Sequence, residues 1–358
     1  MAVHFHKLKI KSIKKETQDC VSIAFDISAE LKTTFIFEQG QNITVKKNID
    51  GEELRRSYSI CTAPFENELK IAVKKVDGGK FSSYANDILK EGDVLEVLPP
   101  TGKFNTKLQT ENRKQYVAFA AGSGITPILS IIKTTLQTEP QSNFTLVFAN
   151  RSRSSIIFFD ELEGLKNKNL QRFNFINILS REKTEASINS GRVDKQKLND
   201  LNKLINYNSI DEFFICGPEE MIFCVKDFLE AKEIDKKKIH FELFASAGVN
   251  KINTDNKKLY PTATATSTIT VKADGRSFDF ILGFNSDTIL DAALKQGADL
   301  PYACKGGMCC TCKAKLLEGE VKMDVNWGLE EEEIEKGFIL TCQSHPVTKK
   351  VVIDFDIK

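Results

Sequence analysis

The 358-residue chain is short of several things, and each shortage removes a class of protein. It has no charge excess: 50 basic residues face 49 acidic ones, a net of +1, which argues against nucleic acid as a partner. It has no long apolar run of the roughly 18 residues a membrane-spanning helix needs. Its first fifteen residues, MAVHFHKLKIKSIKK, hold no apolar core of signal-peptide length. The expectation is a cytoplasmic protein with no membrane partner. Histidine is scarce, at positions 4, 6, 240 and 345 without clustering, and G-x-S-x-G is absent, so the common hydrolytic centres are not in view. His240 falls in a predicted central strand and reads as a core residue. Cysteine is not scarce: there are nine. In a chain this long, expected in a reducing compartment, they point to metal or redox chemistry rather than a disulfide framework.

The length predicts two or three domains. Residues 1–108 read as short strands broken by turn signals at Asp50-Gly51 and Asp77-Gly78, with one helix in SSYANDILKEG, which suggests a small antiparallel β-barrel. Residues 109–246 alternate apolar strands and helices four times and end on a fifth strand, IHFELF, which implies an α/β doubly wound parallel sheet. Its ligand belongs off the carboxyl ends of the strands. Residues 247–266 are rich in Asn, Lys, Thr and Ala and read as a linker. Residues 267–358 predict a hairpin around Asp274-Gly275, a helix capped by Asp287 and ended before Gly297, a cysteine loop and two further strands. Residues 265–358 carry 11 basic against 15 acidic side chains, while the rest carries 39 against 34. An acidic module tethered to a basic one can dock on it or face a basic partner, although such a difference is also within ordinary surface variation.

The stretch CKGGMCCTC, residues 304–312, holds four cysteines in nine residues. The spacing Cys304-x4-Cys309-x2-Cys312, with Cys342 alone after 29 intervening residues, is that of a plant-type [2Fe–2S] loop. Structural zinc more often takes two short Cys pairs. Gly306 and Gly307 suit a loop whose N–H groups approach sulfur closely. Cys310 is off the spacing and reads as a small side chain packed behind the loop.

Three weaker motifs sit in the first two units. Arg56-Ser57-Tyr58-Ser59 ends a barrel strand, and Gly78-Gly79-Lys80-Phe81-Ser82-Ser83 opens the barrel's helix. An Arg fork and a helix N-terminus in one small barrel suit a pyrophosphate, with Tyr58 offering a flat face to a ring. Gly122-Ser123-Gly124-Ile125-Thr126-Pro127 follows the first parallel strand as G-x-G-x-x-P, a partial dinucleotide fingerprint. Cys216-Gly217-Pro218 follows the fourth, with Pro218 starting the next helix. Either turn also reads as a plain βα connection. No carboxylate ends the second strand, FTLVFAN; Arg151 and Arg153 follow it, and Ser180, Arg181 and Lys183 follow the third. That set favours a 2′-phosphate, hence NADPH over NADH, against a reading as solvated surface charge.

With these residues in hand, the chain resembles the ferredoxin–NADP reductase family fused to a C-terminal plant-type ferredoxin of the α+β β-grasp fold. The motifs occur in the family's order and cover nearly the whole chain outside the linker. The resemblance implies an oxidoreductase that passes electrons from NADPH to FAD to a [2Fe–2S] cluster. It places Arg56 on the FAD pyrophosphate, Tyr58 beside the isoalloxazine and Ser59 near its N5. It also puts Gly79, Lys80, Phe81 and Ser82 on the phosphates. Gly122, Gly124, Thr126, Pro127, Cys216, Gly217 and Pro218 would line the nicotinamide side, with Arg151, Ser180 and Arg181 on the 2′-phosphate. Phe244 would cover the flavin. The implied acceptor is an oxygenase component, with a multisubunit diiron epoxidase of the phenylacetyl-CoA type placed ahead of steroid or alkane hydroxylases and ring-hydroxylating dioxygenases. The reading outside this class is a redox-sensing adaptor that uses the same cofactors without turnover.

Overall fold

The structure, a computed structural model, describes residues 4–244, 265–284 and 286–357. The predicted linker therefore lies almost wholly outside the described residues. Strands β1 (His6–Thr17), β2 (Cys20–Asp26), β3 (Asn42–Ile49), β4 (Glu52–Ser59) and β5 (Leu69–Lys74) precede helix α1 (Lys80–Asp87) and strand β6 (Val94–Val97). The six strands form an antiparallel sheet in the order β4-β3-β6-β1-β2-β5. A bridge from Ile60 to Ile71 joins the two edges and closes the barrel. Alternating side chains such as Leu8, Ile10, Ile23, Ile43, Val45, Ile71 and Val73 fill the interior. The β3–β4 hairpin turns at Asp50-Gly51, both in the left-handed region as such a turn requires.

Next come β7 (Gln115–Ala121), α2 (Ile125–Thr138), β8 (Asn143–Asn150), α3 (Phe159–Lys168), β9 (Phe173–Leu179), α4 (Lys195–Leu201), β10 (Glu212–Gly217), α5 (Glu219–Glu230) and β11 (Ile239–Leu243). All pairings are parallel and the order is β11-β10-β7-β8-β9. Phe144, Leu146 and Phe148 pack on one face, Val117, Phe119 and Val147 on the other, so these strands bury apolar side chains on both faces. Chain order reverses between β7 and β10, which sets the turns after these two strands side by side. His240 is not central: β11 is the edge strand, and the ring stacks on Phe214 while Nε2 lies 2.8 Å from Glu212.

The last unit contains β12 (Thr266–Ala273), β13 (Arg276–Gly283), α6 (Ile289–Lys295), β14 (Lys313–Glu318), β15 (Val321–Met323), α7 (Glu331–Glu335), β16 (Phe338–Leu340), β17 (Ser344–Pro346) and β18 (Lys350–Asp354). Its main sheet runs β13-β12-β18-β14-β16, with β12 and β18 parallel, and α6 packs Ile289, Leu290 and Ala293 into a separate core. The cap of α6 is Thr288 rather than Asp287: Thr288 Oγ1 accepts the Asp291 N–H at 3.3 Å. Asp287 instead pairs with Lys295. Gly297 closes the helix at φ +84°, as its position implies.

Candidate functional site

The cysteine loop lies between α6 and β14. Cys309 and Cys312 are buried, as is Cys342 beyond β16. All four spaced cysteines are free thiols, and Cys304 faces Cys309 while Cys312 faces Cys342. Among the described residues, no three His, Cys, Asp or Glu side chains are drawn together closely enough to hold a single metal ion. Two facing pairs from the C-x4-C-x2-C loop and the distant Cys342 fit a two-iron cluster with two thiolates per iron. The Gly306 N–H points at Cys304 Sγ, 3.3 Å away, a contact that would stabilise a thiolate. Gly307 has φ +73°, and a Cβ there would fall 2.8 Å from the Val325 carbonyl oxygen, so the loop closes only around glycine. Cys310 turns away at φ +56°, with its thiol against the Gly328 carbonyl.

The barrel offers an anion cradle. Helix α1 has Gly79 as its N-cap and no side-chain cap, which leaves its first N–H groups open. Lys80 in the first turn is bonded through Nζ to Glu52 on β4, where Arg56 donates Nη1 to the Arg55 carbonyl at 2.8 Å. The structure thus brings the N-terminus of α1 against β4, the strand that carries Arg56. Two expected contacts are altered. The Phe81 side chain points into the barrel core, so only its backbone faces the cradle. Ser82 Oγ is already engaged, accepting from Val76 N and donating to Gly79 O, both at 3.1 Å. Tyr58 lies 5.7 Å from Phe81 ring to ring, and burial holds its phenol well above the usual range.

The nicotinamide-side turns interlock. A Cβ on Gly124 would lie 2.1 Å from the Cys216 carbonyl oxygen, so the turn after β7 reaches the end of β10 only as glycine. Gly122 sits in this turn and Pro127 in the first turn of α2. The Thr126 hydroxyl donates to Ser123 O at 3.0 Å. Cys216 is fully buried, which pushes its thiol up. Gly217 ends β10, and Pro218 is the N-cap of α5, one residue earlier than the helix itself. Arg151, Ser180 and Arg181 are exposed at adjacent strand ends, tied by Ser180 N to Asn150 O and Arg181 N to Arg151 O. Phe244 follows β11 and is 38% exposed.

Glu242 on β11 is a site residue that no sequence motif marked. It stands level with Cys216 and accepts the Ser59 hydroxyl at 3.0 Å. It joins the Tyr58–Ser59 strand end to the Cys216 turn. Burial raises its carboxyl to about 7, and the Ser59 bond only partly opposes this. The signal available in the sequence was an acidic residue flanked by apolar ones in the strand FELF. The cluster loop also reaches this region: Thr311 Oγ1 lies 3.2 Å from Thr44 Oγ1 on β3.

An anion cradle beside a nucleotide-type switch point, with a four-thiol loop seated against the same sheet, belongs to flavin- and nicotinamide-dependent iron–sulfur oxidoreductases. Residues 7–106 match the oxidoreductase FAD-binding domain, 119–227 the oxidoreductase NAD-binding domain and 274–347 the 2Fe-2S iron-sulfur cluster binding domain. One of the subunits of 1,2-phenylacetyl-CoA epoxidase from Escherichia coli K12 is 44% identical over 99% of this chain and 98% of its own. The ferredoxin reductase component of 3-ketosteroid-9-alpha-monooxygenase from Rhodococcus rhodochrous is 32% identical over 97% and 96%. Phthalate dioxygenase reductase, described as a modular structure for electron transfer from pyridine nucleotides to [2Fe-2S], superposes with a TM-score of 0.59 at 26% identity, covering 98% of each chain. The chain belongs to the ferredoxin–NADP reductase family members that carry a C-terminal [2Fe–2S] domain and act as reductase components of oxygenases. Among the described residues, no helix is long and apolar enough to cross a membrane.

Proposed function

We propose that this chain is the NADPH-dependent reductase of a cytoplasmic, multisubunit diiron epoxidase acting on phenylacetyl-CoA. Its working units are taken as 1–108 for FAD, 109–246 for NADPH, 247–266 as linker and 267–358 for the cluster. The 44% identity to an epoxidase subunit along the whole length supports the choice of partner. The observation that carries the electron route is the Thr44–Thr311 contact, which sets the cluster loop on the sheet holding Arg56, Tyr58 and Ser59.

When bound, FAD converts a hydride into single electrons, and a plant-type cluster near about −400 mV passes them on. The chain's own residues set the stage. Arg56 and the open N-terminus of α1 bind the pyrophosphate, while Tyr58 gives the ring a flat wall. Thr126 and Cys216 border the nicotinamide, and the interlocked Gly124 keeps that border narrow. Ser59 and Glu242 share a hydrogen bond, and burial holds a proton at the Glu242 carboxyl up to near-neutral pH. Arg151, Ser180 and Arg181 supply donors for a 2′-phosphate, whereas Glu182 is turned to the Arg153 N–H.

Flavin reduction with NADPH and NADH, and coupled epoxidation with candidate oxygenases, test this function. The expected result is a strong NADPH preference that Arg181→Ala lowers about tenfold or more, the scale of one charge-assisted contact. Turnover with a 3-ketosteroid or ring-hydroxylating oxygenase but not with the epoxidase would overturn the partner assignment. Absence of multiple-turnover NADPH oxidation with ferricyanide in cofactor-replete protein would favour a redox-sensing adaptor.

A further inference from the structure

On β4, Leu54 enters the barrel core, whereas the Arg55 side chain next to it reaches the iron–sulfur module. It is 7% exposed although charged. Its guanidinium is held by partners from three parts of the chain. Nε donates to Glu53 at 2.8 Å, and Nη1 donates to the Leu300 carbonyl at 3.1 Å. The guanidinium carbon lies 4.2 Å from the Tyr302 ring centre and 5.0 Å from that of Phe5. Leu300 and Tyr302 lie four and two residues before the first cluster cysteine, Cys304.

We propose that Arg55 is a positioning residue: it clamps the segment leading into the cluster loop and so fixes the iron–sulfur module in the pose that receives electrons from the flavin. Other contacts surround the clamp. Lys103 pairs with Glu333 at 2.9 Å, and Glu333 also holds Lys313 at 2.9 Å. Trp327, the single tryptophan, meets Phe223 of α5 edge-on at 5.9 Å, and Met308 packs on the same apolar face. The module is thus seated on both the barrel and the parallel-sheet unit. Arg55 stands out among these contacts because it links the two centres through short stretches of chain. On one side of the seat it precedes Tyr58 and Ser59 by three and four residues, and on the other it grips the run into Cys304.

Arginine suits this place because one planar group lies over the Tyr302 ring while donating to the buried Leu300 carbonyl. Asp299 matters less: its carboxylate is 3.6 Å from Nη2 but 90% exposed, so solvent screens the pair.

The assignment rests on the reading that electrons pass from FAD to the cluster within this chain. The test mixes holoenzyme rapidly with NADPH and follows flavin bleaching and cluster reduction separately. Arg55→Ala and Tyr302→Ala should bleach the flavin within about twofold of wild type but slow cluster reduction roughly tenfold or more, since a small misplacement of a reacting centre has effects of this size. Arg55→Lys should remain slow, and Asp299→Asn should stay near wild type. Hydrogen exchange on the same holoenzymes should accelerate at residues 299–302 in the slow variants and not in β7 to β10. Wild-type cluster reduction in both Arg55→Ala and Tyr302→Ala, full recovery in Arg55→Lys, or unchanged exchange at 299–302 would each overturn the clamp. If Arg55→Ala fails to retain FAD, Tyr302→Ala, on the far side of the seat, decides the matter. A wild-type enzyme that bleaches its flavin but never reduces its cluster would break the underlying reading instead.

Discussion

Replacing Glu242 by glutamine keeps an acceptor for the Ser59 hydroxyl and removes the titration. Burial lifts this carboxyl from 4.5 to about 7. At about 1.36 kcal/mol per pKa unit the full shift corresponds to about 3 kcal/mol, and partial contact with solvent lowers that to about 2 kcal/mol. Proton binding fixes the direction. Between the ordinary carboxylate pKa and about 7 the folded protein holds a proton that the unfolded chain has released, so stability falls as pH rises through that window and is level above it. Wild type should therefore lose about 2 kcal/mol between about pH 5 and 8 relative to Glu242→Gln. Urea unfolding at several pH values, read by far-ultraviolet circular dichroism, measures the difference. Infrared difference spectra at about pH 6 should show a protonated carboxyl stretch in wild type that the variant lacks. A stability difference that does not change with pH, together with identical infrared bands, would refute a raised Glu242.

Cys310→Ser should leave the visible spectrum of the cluster intact, because the Cys310 side chain faces the Gly328 carbonyl and not the paired thiols. Cys309→Ser removes one member of the Cys304 pair and should bleach or strongly alter that spectrum. Gly124→Ala drives a Cβ into the Cys216 backbone and should destabilise the parallel-sheet unit by on the order of 1–3 kcal/mol, with a raised KM for NADPH. Thermal unfolding and steady-state kinetics check both effects.

Elements that are periodic or closely spaced were legible in the sequence. The parallel strands read as apolar runs, and three of the four paired cysteines share one loop. The small elements were not legible: β15, β16 and β17 have three residues each, too short to show a period. Thr288 and Asp287 are both good caps, and only the reach of Thr288 Oγ1 to Asp291 N decides between them. Phe81 reads with its neighbours as a phosphate contact, yet on α1 it falls on the face toward the core. Contacts between units were invisible for a different reason. Arg55 and Leu300 are 245 residues apart, and no local pattern links them.

The seat between the iron–sulfur module and the rest of the chain is an intramolecular one. A tethered partner of this kind acts at an effective concentration on the order of millimolar. At such a concentration a few contacts, among them the Arg55 stack, the Trp327 edge, the Lys103–Glu333 pair and the Thr44–Thr311 bond, weigh far more than they would between separate chains. An oxygenase must compete with that local concentration for the same module. A tighter seat would load the cluster well and release it poorly to a partner.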